Sequence, residues 1–328
     1  MNTKRIVVLA YQGCMGMEVF GLCDTLLLAN RVVKAMRGPE AAALFDVAVM
    51  SLSGGSVTTA GGHSIDTGKL RPRADLLVVP GMDVGDRDGC THPQLRHAAE
   101  VRAIARLFAK GIPVAAVCVG AFLLAEAGLL DGRRGTTSWM FADDLARRFP
   151  LANVDPVAML VNDSGVITTG SFTATFDLAI HLIQQNASPK EARAIMRIAL
   201  LNQRASQAAF VDPALTAQPQ LGTFSERVHG WLRDRLEQPY NLALLAEAFH
   251  VSGRTMLRRL QAETGQSPLA YLQSQRVDKA KRLLESSSLS VAQVSERVGY
   301  LDVATFSSLF KRLTDHSPAE YRRRFRVC

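Results

Sequence analysis

The chain has 328 residues, 48% of them hydrophobic, and carries a formal net charge of +8 at pH 7. That length suits two domains with full cores rather than one. No segment approaches the roughly 20 apolar residues of a membrane span, and residues 6–10 are too short for a secretory signal core. The five cysteines (Cys14, Cys23, Cys90, Cys118 and Cys328) are scattered and form neither a CxxC metal pattern nor a disulfide framework. A cytoplasmic protein without metal or cofactor is therefore expected. The charge is uneven: residues 224–328 hold 17 Lys+Arg against 11 Asp+Glu, and the remaining 223 residues hold 21 against 19. The basic excess sits where phosphate contacts would need it if the C-terminal part bound nucleic acid.

Residues 1–200 read as alternating strands and helices. Residues 5–11 are a short β-branched run closed by glycine, a buried strand. Residues 18–35 place Val19, Leu22, Leu26 and Ala29 at helical steps. A strand over 45–52 meets the turn Ser53-Gly54-Gly55. Residues 75–80 (DLLVVP) form an apolar central strand ending at Gly81, followed by a helix over 92–110 and a strand over 113–117. This alternation predicts a parallel α/β sheet with helices on both faces. Sites in such sheets lie beyond the carboxyl ends of strands, here just after Tyr11, Pro80 and Val117. Asn162-Asp163-Ser164-Gly165 reads as a turn between strands over 157–161 and 166–169. Helices are predicted over 172–185 and 189–201.

Around Cys118 the order is strand, Cys, small residue, Gly, helix. This resembles a nucleophile elbow, and the following helix N-terminus would favour thiolate. A buried structural cysteine is the competing reading. The stretch CVGAFLLAEAGLLDGRRGTTSW, residues 118–139, resembles the PfpI branch of the class I glutamine-amidotransferase-like superfamily. It is most similar to regulators that fuse such a domain to an AraC-type DNA-binding domain. Glu18, Pro80-Gly81-Met82, Thr169-Gly170-Ser171 and Asp177 also fit, so the resemblance covers roughly residues 4–200. It implies a flavodoxin-like, PfpI-type fold.

Cysteine hydrolysis needs a base. The PfpI proteases place a His directly after the cysteine, where this chain has Val119. Many fused relatives read Thr-Thr-His-Trp where this chain reads Thr136-Thr137-Ser138-Trp139. The other histidines lack a matching context, and His181, in LAIHLI, reads as packed. No catalytic residue is therefore expected. The expectation is a ligand pocket kept from an enzyme fold, at Glu18, Gly81, Met82, Cys118, Val119, Ser138 and Ser171. Its effector, by resemblance, is an amino acid or amine metabolite. The rival reading is a cysteine hydrolase or glyoxalase-like enzyme fused to a DNA-binding domain. A third is a redox sensor in which Glu18 hydrogen-bonds an oxidised Cys118.

Residues 202–223 are rich in Gln, Ala and Pro and lack a sustained period, as a linker does. We read residues 1–205 as the sensing domain, 206–223 as linker and 224–328 as a DNA-binding domain. Residues 206–210 resemble an element ordered against the sensing domain, and 224–236 read as an opening helix. Two segments, 241–265 and 290–314, repeat one motif of two amphipathic helices around a tight turn. Leu242, Leu245, Ala246 and Phe249 lead to the cap Ser252, then to Met256 and Leu260. Val291, Val294 and Val298 lead to Gly299 and the cap Asp302, then to Phe306 and Phe310. This is the helix-turn-helix layout, whose second helix enters the major groove. A helix over 267–287 joins the two units. At 1.5 Å per residue it spans roughly 25–30 Å, near the spacing of successive major-groove faces.

Gly265-Gln266-Ser267-Pro268, Tyr271, Arg276, Val298-Gly299-Tyr300 and Ser317-Pro318 closely resemble the DNA-binding domain of the AraC family. That resemblance implies double-stranded DNA and RNA polymerase as partners and activation of a catabolic operon, and the resemblance of the sensing domain implies a homodimer formed by the helices over 172–185 and 189–201 with parts of the sheet edge. If Met256 and Leu260 face inward, Arg254, Leu257, Arg258 and Gln261 face outward. If Phe306 and Phe310 face inward, Val303, Ala304, Ser307 and Ser308 face outward, with Lys311 beyond. Arg322, Arg323, Arg324 and Arg326 are candidate phosphate contacts.

Overall fold

A computed structural model describes residues 3–84, 93–212, 215 and 223–326. Cys90, His92 and Cys328 lie outside them, as does most of the expected linker. The chain divides into two compact units, Met1–Gln207 and Ala208–Cys328.

In the first unit the elements run β1 (Lys4–Leu9), α1 (Gly16–Arg37), β2 (Phe45–Ser51), β3 (Gly55–Thr58), β4 (Ser64–Lys69) and β5 (Leu76–Val79). They continue with α2 (Pro93–Ala109), β6 (Val114–Ala116), a 3-10 turn (Cys118–Gly120), α3 (Ala121–Glu126), β7 (Arg134–Gly135) and α4 (Ala142–Arg148). Last come β8 (Asn153–Val154), β9 (Leu160–Asp163), β10 (Val166–Thr169), α5 (Thr175–Asn186) and α6 (Pro189–Ile198). The main sheet has the order β3-β4-β2-β1-β5-β6-β10-β9, and β7 pairs with β8. The strands from β4 to β10 in this order are mutually parallel, and β3 and β9 close the edges antiparallel. The central strands are buried along most or all of their length because both faces are covered.

Two departures from the sequence reading have local causes. The β3–β4 hairpin escaped notice because only Val57 and Ile65 are buried in it, leaving no apolar run to see. The strand expected over 157–161 begins at Leu160. The Asp155 carboxylate accepts from the N–H groups of Val157 (3.2 Å) and Ala158 (3.0 Å), which folds those residues into a turn.

The second unit is helical: α7 (Phe224–Arg233), α8 (Leu242–Ala248), α9 (Gly253–Thr264), α10 (Pro268–Ser286), α11 (Val291–Arg297), α12 (Val303–Thr314) and α13 (Pro318–Phe325). Side-chain caps start α7 to α13: Thr223, Asn241, Ser252, Ser267, Ser290, Asp302 and Ser317 each accept from a first-turn N–H. Gly265 closes α9 and Asp315 closes α12, both left-handed. Two cores form. One gathers Phe224, Leu245, Met256 and Leu260, the other Val294, Phe306, Phe310 and Tyr321. Helix α10 serves both, giving Leu272 to the first and Val277, Ala280 and Leu284 to the second.

Arg276 on α10 is 5% exposed. It donates to Leu236 O (2.7 Å) and Gln238 O (2.6 Å) and lies 4.9 Å over the Tyr300 ring. Gly299 permits this: a Cβ there would fall 2.8 Å from both the Arg276 guanidinium and Leu236 O. Arg276 therefore clamps residues 236–238, which precede the first helix-turn-helix unit, against Tyr300 at the turn of the second.

Candidate effector and DNA sites

Strands β1, β5, β6 and β10 are neighbours, so their carboxyl ends bring Tyr11, Gly81, Cys118 and Ser171 to one end of the sheet. Cys118 has φ 54°, a left-handed value that costs a non-glycine residue about 1–3 kcal/mol and marks an elbow. Behind it only glycine fits. A Cβ at Gly120 would lie 2.6 Å from Val79 O and 2.7 Å from Pro80 O. The expected elbow helix is a 3-10 turn followed by the six residues of α3. The aligned peptide dipoles behind Cys118 are therefore few.

Glu18, in the first turn of α1, is 1% exposed. Its Oε2 accepts from Gly81 N at 2.5 Å, while its Oε1 is buried with no hydrogen-bond partner among the described residues. Burial pushes the carboxyl up to about 7, against the lowering by the Gly81 N–H. A Cβ on Gly81 would meet both Glu18 oxygens and Val119 within 3.3 Å. Glu18, Gly81 and Val119 thus form one cluster, as the sequence reading placed them. The Tyr11 hydroxyl donates to Pro80 O at 2.5 Å. Burial raises its phenol first, then the charges at Cys14, Glu18, Glu100 and Cys118.

One neighbour was missed. His97 is buried in a kink of α2 (φ −125°, ψ 26°). Its ring meets Tyr11 edge-on at 4.8 Å, with Nδ1 4.0 Å from Glu100 Oε2. No motif flags a histidine on a helix 21 positions before the elbow. His181, by contrast, is half-buried, with its ring nitrogen 3.0 Å from Gln185.

The remaining expected ligand residues stand differently. Met82 is buried and bridges Cys14. Ser138 and Ser171 do meet, hydroxyl to hydroxyl at 2.9 Å, but they group around Gln207, which sequence reasoning assigned to the linker. Gln207 Oε1 accepts from Ser171 N (2.9 Å) and Trp139 N (3.2 Å). Thr137 joins this group to the elbow, since its hydroxyl donates to Cys118 O at 2.8 Å and its carbonyl accepts from Gln207 Nε2 at 2.9 Å. Asp177 is held by Arg204, whose Nε donates to Oδ2 at 3.0 Å. Residues 206–210, expected together on the sensing domain, part company. Gln207 belongs to the first unit and Ala208–Phe210 to the second, where Lys281 takes the Ala208 carbonyl.

On the second unit, Arg254, Leu257, Arg258 and Gln261 are all exposed on α9, and Met256 and Leu260 are fully buried. Two details differ from a free recognition stripe. The Gln261 amide donates to Gly265 O at 2.9 Å and so serves the helix end. Arg259, not anticipated, is exposed and stacks 3.8 Å over the Phe224 ring. On α12, Val303, Ala304, Ser308 and Lys311 are exposed, but Ser307 is half-buried, because Phe306, Leu309 and Phe310 together widen the inner face.

The two helices begin with different charges. Ser252 caps α9 neutrally. Asp302 caps α12 through the N–H groups of Ala304 (3.1 Å) and Thr305 (2.9 Å). The Thr305 hydroxyl and these N–H groups hold its carboxyl below the usual range, so it stays charged. Of the C-terminal arginines, Arg322 donates to Leu289 O at 2.5 Å and Arg324 reaches His316 at 3.1 Å. Arg323 and Arg326 are exposed.

Residues 4–185 match the DJ-1/PfpI family, and residues 245–324 match a helix-turn-helix domain family. The HTH-type transcriptional regulator GlxA of Rhizobium meliloti is 29% identical over 297 residues, covering 86% of this chain and 86% of its own. The HTH-type transcriptional regulator CdhR of Pseudomonas aeruginosa is 29% identical over 283 residues, covering 84% of this chain and 80% of its own. Among solved structures, a ThiJ/PfpI family protein from Pseudomonas syringae superimposes with a TM-score of 0.50 at 22% identity. That match covers 62% of this chain and 77% of the other, and concerns the fold alone. With an α/β elbow domain followed by two capped helix-turn-helix units, the chain belongs to the DJ-1/PfpI family in its first part and, as a whole, to the AraC-family DNA-binding transcriptional regulators that carry such a domain.

Proposed function

We propose that the first unit senses a small metabolite at the elbow, without catalysis, and that the metabolite governs how the second unit acts on DNA. One observation carries the reading: Glu18 Oε1, buried and without a partner among the described residues, beside Gly81 and Val119 at the elbow. When Glu18 is ionised, Oε1 is an unsatisfied buried acceptor, which costs about 1–3 kcal/mol, and a ligand N–H would remove that cost. An amine or amino acid supplies such a donor. The regulator works in the cytoplasm as a homodimer, with RNA polymerase as partner and activation of a catabolic operon as outcome. Replacing Cys118 with Phe is expected to abolish effector response while DNA binding persists. A normal response in Cys118→Phe refutes the elbow site.

DNA reading is divided unequally. Helix α9 offers Arg254 and Arg258, and an Arg paired to guanine O6 and N7 discriminates by about 1–3 kcal/mol. Helix α12 offers Val303, Ala304 and Ser308, and opens with the charged Asp302, which repels phosphate. The first unit should read a guanine-containing box. The second should read a looser, A·T-rich box one turn away. In binding selection, Arg258→Ala is expected to relax the first box alone. Equal information in both boxes, or uniform weakening, refutes this division.

A second reading, a cysteine hydrolase or glyoxalase-like enzyme, is favoured by His97 and Glu100 beside Tyr11. Turnover of glyoxal or an amide by purified protein, lost in both Cys118→Ala and His97→Ala, would establish it.

A further inference from the structure

Gln207 is 1% exposed, and its carboxamide is fully engaged within the first unit. Oε1 accepts from Ser171 N (2.9 Å), Ser171 Oγ (3.1 Å) and Trp139 N (3.2 Å). Nε2 donates to Thr137 O (2.9 Å) and Ala158 O (3.0 Å). The backbone is held as well, by Gln207 N to Val157 O at 2.7 Å. The walls are tight: a Cβ on Gly170 would come within 2.4 Å of Gln207 Cδ. Donors converge on one atom and two carbonyls on the other. That pattern fits a primary carboxamide and rejects a carboxylate, whose second oxygen would face two acceptors.

Gln207 ends the first unit and Ala208 begins the second. Residues 208–212 are clasped in turn. Lys281 Nζ donates to Val211 O (2.8 Å) and Ala208 O (3.2 Å). Ala209 is buried in the core of the second helix-turn-helix unit, and Phe210 meets Phe325 edge-on at 5.2 Å. Beside this clasp lies a cavity of about 220 Å³, lined by Asp212, Asp278 and Arg282 among others. No free residue separates the two anchors, and consecutive Cα atoms stay about 3.8 Å apart. The packed slot leaves no room beside Gln207, so an occupant that expels its side chain must also move its backbone.

We propose that Gln207 is a built-in occupant of a primary-carboxamide site, that a small primary amide competes with it, and that its withdrawal loosens residues 208–212 from the core of the second helix-turn-helix unit. The proposal rests on the reading of the first unit as a sensor and specifies how its state reaches the DNA-binding unit.

The test uses the full chain, with no promoter and no effector, so it fails or succeeds apart from the Cys118→Phe experiment. Gln207→Ala deletes the equivalent of acetamide. Acetamide at high millimolar concentration should raise the melting temperature of Gln207→Ala but not of wild type, and acetate should raise neither. In hydrogen exchange, Gln207→Glu should speed exchange at residues 208–212 by about tenfold or more. Coupling is reciprocal, so Lys281→Ala, which leaves the slot intact, should speed exchange at 206–207. The carboxamide site is overturned if acetamide acts no better than acetate, or acts equally on wild type. The coupling is overturned if either exchange effect stays within its own unit.

Discussion

Glu18 should make the protein less stable as pH rises, against the usual trend for a paired carboxylate. Its carboxyl is raised from 4.5 to about 7 because burial disfavours the charged form. Once unfolded, the same group titrates near its ordinary value. Between about pH 5 and 7 the native state therefore binds more protons than the unfolded state, and stability falls with pH. The stabilising protonated form is fully present below about pH 4.5 and lost as pH rises through about 7. At 1.36 kcal/mol per pKa unit, the gap corresponds to about 3 kcal/mol between pH 4.5 and pH 8. Glu18→Gln is nearly isosteric with the neutral acid and cannot ionise. Urea unfolding of wild type and Glu18→Gln, each at pH 5 and pH 8, isolates the effect, because every other group titrates in both. The two proteins should be nearly equally stable at pH 5. At pH 8 Glu18→Gln should be more stable by about 2–3 kcal/mol. If the difference between them is the same at both pH values, burial is not holding the proton on Glu18 and the reasoning fails.

Two further outcomes concern the second unit. Arg276→Ala removes a buried guanidinium that donates to Leu236 O and Gln238 O, and should cost about 1.5–3 kcal/mol in thermal or chemical unfolding. Arg276→Lys should recover little of this, because an ammonium cannot make the same forked contact. The double variant Arg323→Ala/Arg326→Ala removes two exposed cations and should flatten the slope of log K against log salt by about 2. Its effect should be equal for all DNA sequences, which titrations at several salt concentrations would check.

Much of this protein was legible in the chain itself. The β-branched apolar runs located the central strands, because strands covered on both faces read as continuous hydrophobic segments. The four-residue steps Met256 to Leu260 and Phe306 to Phe310 fixed the inner faces of both recognition helices, because helix periodicity is a local property. The Cys-Val-Gly elbow was visible because Gly120 is imposed by backbone packing just behind the turn. The structure decided what depends on contacts distant in sequence. His97 reaches Tyr11 from another element, and Gln207 reaches Thr137 across 70 positions. His97 carries no local signature, and Gln207 is marked only by the resemblance of residues 206–210, since a histidine on a helix or a glutamine in a Gln- and Ala-rich stretch is equally at home in solvent. Their burial follows only once parallel strands carry their carboxyl ends to one edge and supply the N–H and carbonyl groups that make a buried polar side chain stable.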